Sequence, residues 1–341
     1  MLLRVKIFLP AFALLISTLA CSTIMGEDIP ETATPGPAVT EVPSTAEVPL
    51  FEGASSCSTI SDQIMEIAVS DGDGREEDLL DEEVYLVSYI VSGGEISDPS
   101  FEDVDKDMQD EQNDFATHQR VWKYFSALIP ADQRGTIAVY SIVTDGQGGT
   151  LAAVSQTQSN ANRWDLQVDI ADTGNYYALT FTLVHEFGHL LTLGPSQVPP
   201  SIAVFNNPDD NHIYLDEVSA CPQYFPGEGC ANPDSYINMF YNQFWADIHE
   251  EWNEINLEED KDIYYQRLDE FYHKYRDRFV TDYAATSPEE DMAETWAFFV
   301  LASKPAGDTV AGQKVLFFYQ YPELVNLREQ ILTNLCASFH K

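Results

Sequence analysis

Two histidines spaced four apart, His185 and His189, lie inside the apolar run from Ala178 to Leu193, and a glutamate, Glu186, follows the first. Residues four apart sit one above the other on a helix face, so both imidazoles can aim a ring nitrogen at one point. That is half of a tetrahedral zinc site. Glu186 is turned from them by about one helical step, close enough to take a proton from a water held there. Gly194 followed by Pro195 ends the helix, with glycine expected in a left-handed cap and proline unable to continue the ladder.

A zinc site with one open corner needs a third protein ligand. One arrangement places a histidine ten residues after the first and a glycine three before it. Pro195 and Thr192 hold those places here, so that arrangement is excluded. The other takes an acid from a later helix. Ser287 and Pro288 start such a helix, and Glu290 and Glu294 share one of its faces. Ser287-x-x-Glu290 is also a capping box, in which the glutamate would turn back to a backbone N–H and leave Glu294 as the ligand. From the residues alone both assignments stay open.

His185-Glu186-Phe187-Gly188-His189, taken with Tyr283, six intervening residues and Glu290-Asp291-Met292-Ala293-Glu294, resembles the gluzincin peptidases of the anthrax lethal factor and Pro-Pro endopeptidase type. The resemblance implies a zincin-like domain that binds Zn2+ and hydrolyses peptide bonds. It implies Glu290 as the third metal ligand, Glu186 as the general base, Tyr283 facing the reacting carbonyl, and Glu294 orienting a metal-bound histidine. It covers these two helices, which are separated by an insert of about a hundred residues, long for a connection of this kind. A competing reading is a surface lipoprotein that binds a partner and keeps zinc for structure. Such a site would need neither an open corner nor Glu186 and Tyr283.

The elements that must position these residues are legible in outline. Val84 to Val91 is a β-rich run, and Phe115, His118, Val121, Trp122, Phe125 and Leu128 recur at helical spacing before Pro130, with His118 packed inside. Thr136–Val143 and Thr150–Gln156 read as strands. Trp164 to Ile170 alternates apolar and polar, and as an amphipathic strand just before the histidine helix it is a candidate sheet edge for an extended peptide. Pro195 to Asp234 reads as irregular. Ile237 to Ile255 carries one helical apolar stripe, with His249 off it; His249 and His273 are expected to face solvent. Gln313 to Phe339 reads as two helices divided near Pro322. The expected class is α+β, with a small mixed sheet, an active-site helix and a mostly helical C-terminal part.

The 341 residues, 44% of them hydrophobic, suffice for a substantial core, and 17 basic against 56 acidic residues give a net charge of −39. That charge repels phosphate backbones and anionic lipid, so nucleic acid is not expected as a partner; the peptidase resemblance implies a peptide or protein substrate. Arg4 and Lys6 precede an apolar run from Ile7 to Ala20, which reads as a signal peptide over 1–20. Leu19-Ala20-Cys21 resembles a lipobox, with Thr18 where leucine is usual. This makes Cys21 the expected lipid attachment and the only membrane contact of a cell-envelope lipoprotein, with secretion as the alternative. Residues 21–56, rich in Pro, Thr and Glu, read as a tether, and 57–341 as the catalytic domain. In an oxidising compartment the other cysteines pair, and spacing favours Cys221–Cys230 with Cys57–Cys336 as the second bridge. Asp71-Gly72-Asp73-Gly74 reads as a polar turn, because the further oxygen ligands of a calcium loop are missing.

Overall fold

A computed structural model describes residues 57–70 and 83–339. The expected signal peptide, the Cys21 attachment, the tether and the Asp71–Gly74 turn lie outside the described residues. In chain order the elements are α1 (Cys57–Ser70), β1 (Val84–Ser92), β2 (Glu95–Phe101), α2 (Gln109–Gln112), α3 (Phe115–Leu128), β3 (Ile137–Thr144), β4 (Ala152–Thr157) and β5 (Asn160–Asp169). After them come α4 (Tyr176–Leu193), α5 (Ile202–Phe205), α6 (Asn211–Ala220), α7 (Tyr236–Phe244), α8 (His249–Asn256), α9 (Lys261–Lys274), α10 (Pro288–Leu301), α11 (Val310–Phe318) and α12 (Pro322–Phe339). The class is α+β, as the sequence implies.

The five strands form one mixed sheet in the order β2-β1-β3-β5-β4, with β3 and β5 parallel and the other neighbours antiparallel. This corrects the expected edge. The strand over Trp164–Asp169 is interior, because the tight connection after Thr157 folds β4 back onto it, pairing Val154 with Leu166. The alternation of Trp164, Leu166 and Val168 with Asp165, Gln167 and Asp169 reports two faces, and says nothing about which strand is outermost. The outer strand next to α4 is β4.

Helix α4 begins at Asn175, whose side chain accepts from the Tyr177 and Ala178 N–H groups. It ends at Gly194 without a left-handed cap, since φ there is −57°. Glycine is required for another reason: a Cβ would stand 2.6 Å from the Leu190 carbonyl oxygen. Gly188 has a similar role along the helix. A Cβ there would meet Trp296 Cδ1 at 3.0 Å and the Ala293 Cα at 3.2 Å, so glycine facing alanine lets α4 and α10 approach closely. That approach brings the acids of α10 to the histidines of α4.

The core is aromatic, with Trp122, Trp164, Trp245 and Trp296 fully buried. Truncating one such side chain typically costs about 3–5 kcal/mol. Three further expectations need correction. The apolar stripe from Ile237 to Ile255 is broken into α7 and α8, since the Ala246 N–H bonds the Tyr241 carbonyl five residues back and unwinds the helix. The break turns the Trp245 indole N–H onto Asp291 Oδ2, 2.7 Å away. His249 is half-buried instead of facing solvent; its ring packs against Tyr241 and stacks on Trp252 at 5.3 Å. His273 is exposed as expected, and His118 is wholly buried, bonded to Tyr89 and the Glu111 carbonyl. The segment expected to be irregular holds α5 and α6, capped by Ser201 and Asp210. Cys221 and Cys230 are bonded, and Cys336 is also in a disulfide; the Cys57 side chain of the expected pair lies outside what is described.

Candidate metal centre

Local chain geometry sets the first two donors. The i, i+4 spacing on α4 leaves His185 Nε2 and His189 Nε2 3.2 Å apart. Across the close α4–α10 contact, Glu290 Oε2 stands 3.0 Å from His185 Nε2 and 3.3 Å from His189 Nε2. The ligand atoms of these three residues lie within 4.8 Å of one another in a buried setting, so the group could hold a metal ion.

The ambiguity over α10 resolves in geometry. Ser287 Oγ accepts from the Glu290 N–H at 3.1 Å, which caps the helix, but the Glu290 carboxylate turns to the histidines instead of closing the box. Glu294, one turn on, accepts from His185 Nδ1 at 2.9 Å. A carboxylate accepts, so Glu294 holds a proton on Nδ1, and Nε2 is the nitrogen that faces Glu290 and His189 and would turn to a metal.

Glu186 Oε1 is 4.0 Å from His185 Nε2, and the Val154 N–H of the edge strand reaches its carboxylate. Burial pushes its pKa up to about 7, with the two imidazoles pulling the other way. Tyr283 sits on a short 3-10 turn, Tyr283–Ala285, with its ring 6.0 Å from that of His185 and about half its surface exposed. The Glu290 charge and burial raise its phenol well above the ordinary value, so it keeps its proton to donate.

The electrostatics fit a cation. Glu186, Glu290 and Glu294 surround two imidazoles, and among the described residues no lysine or arginine pairs with any of them. Burial would raise Glu290, but His189 and His185 outweigh it and hold the carboxyl below its ordinary range. Burial would likewise lower His185, and the Glu290 and Glu294 carboxylates reverse that. The field that holds protons on the imidazoles would hold a divalent ion between them.

Three contributors have no sequence signal: Val154, through its backbone; Thr281, which donates to Glu294 Oε2 at 2.6 Å; and Tyr224, which donates to Glu289 Oε1 at 2.6 Å beside the metal group. The Val154 and Tyr224 contacts join segments far apart in the chain, and the Thr281 contact crosses from beside the tyrosine turn to the next helix. A second acidic group, Asp145, Asp169 and Asp172, lies where β3 and β5 end. Its oxygens already accept from the backbone N–H groups of Asp145, Gly148, Thr150 and Ala171. Comparison with protein-family models, curated proteins and solved structures finds no match to this chain.

Proposed function

We propose that this protein is a zinc-dependent peptidase. The observation that carries the reading is the convergence of His185 Nε2, His189 Nε2 and a Glu290 oxygen within 4.8 Å, with Glu186 beside them. Two imidazoles and one carboxylate are the donor set of catalytic zinc, which keeps an open position, lowers the pKa of bound water to about 7 and polarises a carbonyl. Calcium and magnesium prefer all-oxygen shells, which this set does not provide.

The chain's own residues divide the remaining work. Glu186, held near neutrality by burial, takes a proton from the attacking water and returns it to the leaving amine. Tyr283, protonated and half exposed, donates to the oxygen on which charge develops, a contribution of about 3 kcal/mol for a well-placed donor. Glu294 fixes the His185 tautomer. Strand β4, as the sheet's outer strand beside α4, offers backbone groups to an extended peptide, the role the sequence suggests for its neighbour. The contacts of Glu290 and Glu294 with His185 support the roles that the gluzincin resemblance implies for them, and Tyr283 is assigned its role from that resemblance.

The Cys221–Cys230 bridge suits an oxidising compartment, and we place the protein outside the cytosol, as an envelope lipoprotein anchored through Cys21. The test is cleavage of a peptide library by zinc-loaded protein. Cleavage should stop with a chelator and return with zinc. Zinc binding with no cleavage of any peptide would overturn the peptidase reading and leave a metal-binding surface protein.

A further inference from the structure

We infer that Thr281 is a positioning residue: one hydroxyl that locks the Glu294–His185 pair and ties it to the turn carrying Tyr283. This inference rests on the metal-site reading above and assigns a role to a residue outside both sequence motifs. The Thr281 hydroxyl has one proton, and it goes to Glu294 Oε2 at 2.6 Å. Its lone pair receives the Ala284 N–H at 3.1 Å, inside the turn Tyr283–Ala285 that Asp282 caps. The other Glu294 oxygen, Oε1, accepts the His185 Nδ1 proton at 2.9 Å.

A chain of three hydrogen bonds therefore runs from the tyrosine turn through Thr281 and Glu294 to the back of a metal-ligating imidazole. Glu294 is buried, and its Oε2 has Thr281 as its hydrogen-bond donor. Without that donor the carboxylate keeps one solvated-type oxygen in a dry site, and rotating it toward another partner withdraws Oε1 from His185. The imidazole then loses both its fixed tautomer and its orientation. Loss of a partner that orients a metal-bound histidine weakens metal affinity by about 10- to 100-fold.

The same hydroxyl joins Asp282, which accepts the Tyr283 N–H at 2.9 Å, in holding the turn that carries Tyr283, so the metal site and that turn share one hydrogen-bond chain. Threonine suits this role better than a longer side chain, since its β-branch restricts χ1 and leaves the hydroxyl few alternative directions.

The experiment compares wild type with Thr281→Val, which keeps the shape and removes the hydroxyl, and with Thr281→Ser, which restores it. Zinc affinity is read by competition with a chromogenic chelator. Exchange of the His185 Nδ1 proton with solvent is read by nuclear magnetic resonance on zinc-loaded protein. The expected result is about 10- to 100-fold weaker zinc binding and a fast-exchanging Nδ1 proton in Thr281→Val, with both restored in Thr281→Ser. A general packing defect would lower thermal stability without selectively exposing that proton. If Thr281→Val does not fold, Thr281→Cys, a weaker donor of similar size, should give an intermediate affinity. Wild-type affinity and wild-type proton protection in folded Thr281→Val or Thr281→Cys would overturn the inference. Neither readout uses cleavage, so a protein that binds zinc but cuts no peptide would sink the peptidase reading and leave this test intact.

Discussion

Helix α10 carries buried acids on two faces, and the chain treats them in opposite ways. On one face Asp291, wholly buried, meets the equally buried Lys314 of α11 at 2.5 Å and the Trp245 indole at 2.7 Å, with Thr295 nearby. On the other face Glu290 and Glu294 meet only histidines and hydroxyl groups of the chain, with Glu186 adding a third carboxylate. The first face is a closed account of charge: an anion, its own cation and hydrogen bonds to both. The second places three acids around two imidazoles, whose protons those acids hold when no metal is bound. A fold that supplies a lysine for Asp291 and none for Glu186, Glu290 and Glu294 leaves the second place able to hold a cation from outside, as the proposed metal site requires.

The largest effect that could break this contrast is on catalysis. Glu186→Gln keeps the shape and removes the base, so peptide cleavage should fall by about 10²- to 10⁴-fold while zinc still binds, measured by kinetics and elemental analysis side by side. Full activity in that variant would return Glu186 to a mere charge near the site. On the closed face, Lys314→Met should leave Asp291 buried without its cation and cost about 3–5 kcal/mol in denaturant unfolding. That loss should be the same with and without a chelator. If the chelator changes it, the two faces are one network and the contrast fails.

A smaller effect separates the faces by ligand linkage. Zinc at about a hundred times its dissociation constant should stabilise the wild-type fold by about 2.7 kcal/mol, read as a rise in melting temperature that a chelator reverses. Glu290→Gln should abolish most of that rise, because it removes a ligand, whereas Asp291→Asn should lower stability and leave the zinc-dependent increment in place. Equal increments in wild type and Glu290→Gln would move the third ligand elsewhere.

What the sequence reveals follows how local each interaction is. The histidine pair on α4, the start of α10 at Ser287-Pro288 and the division near Pro322 depend on neighbours within a turn or two, and each is legible. Choosing Glu290 over Glu294 depends on which way one carboxylate turns across a helix contact, and the residues leave it open; the structure groups Glu290 with the two histidines. The edge strand is misread because alternation records faces and the outer position of β4 comes from a pairing partner. The break between α7 and α8 is invisible because the apolar stripe runs straight through it, and the contact it permits, Trp245 to Asp291, lies in a helix more than forty residues on. Gly188 was visible as a letter inside the motif, but its purpose, a close approach to Ala293, needs both helices.

The smallest effect tests a third kind of buried ionisable group, one with neither a chain partner for its charge nor a place for an external ion. The His249 imidazole is packed between Tyr241 and Trp252, its Nδ1 has no hydrogen-bond partner, and burial lowers its pKa to about 4. The unfolded chain takes up that proton near pH 6.5, whereas the folded chain resists until about pH 4. His249 therefore supports the fold above about pH 6.5, and this contribution is lost as the pH falls between those values. The ring is partly open to water, so about 1–2 kcal/mol is at stake, less than the full shift would give. Asp165 and Asp169 act in the opposite sense, since burial raises their pKa values to about 6 and about 7 and the folded state holds their protons more tightly as the pH falls. Wild-type stability can thus look flat across this window while two opposing trends cancel. The informative quantity is the difference between wild type and His249→Phe in metal-free protein. That variant should gain stability relative to wild type on going from pH 7 to pH 4.5, and a difference that does not change with pH would show that the ring titrates as it does in water.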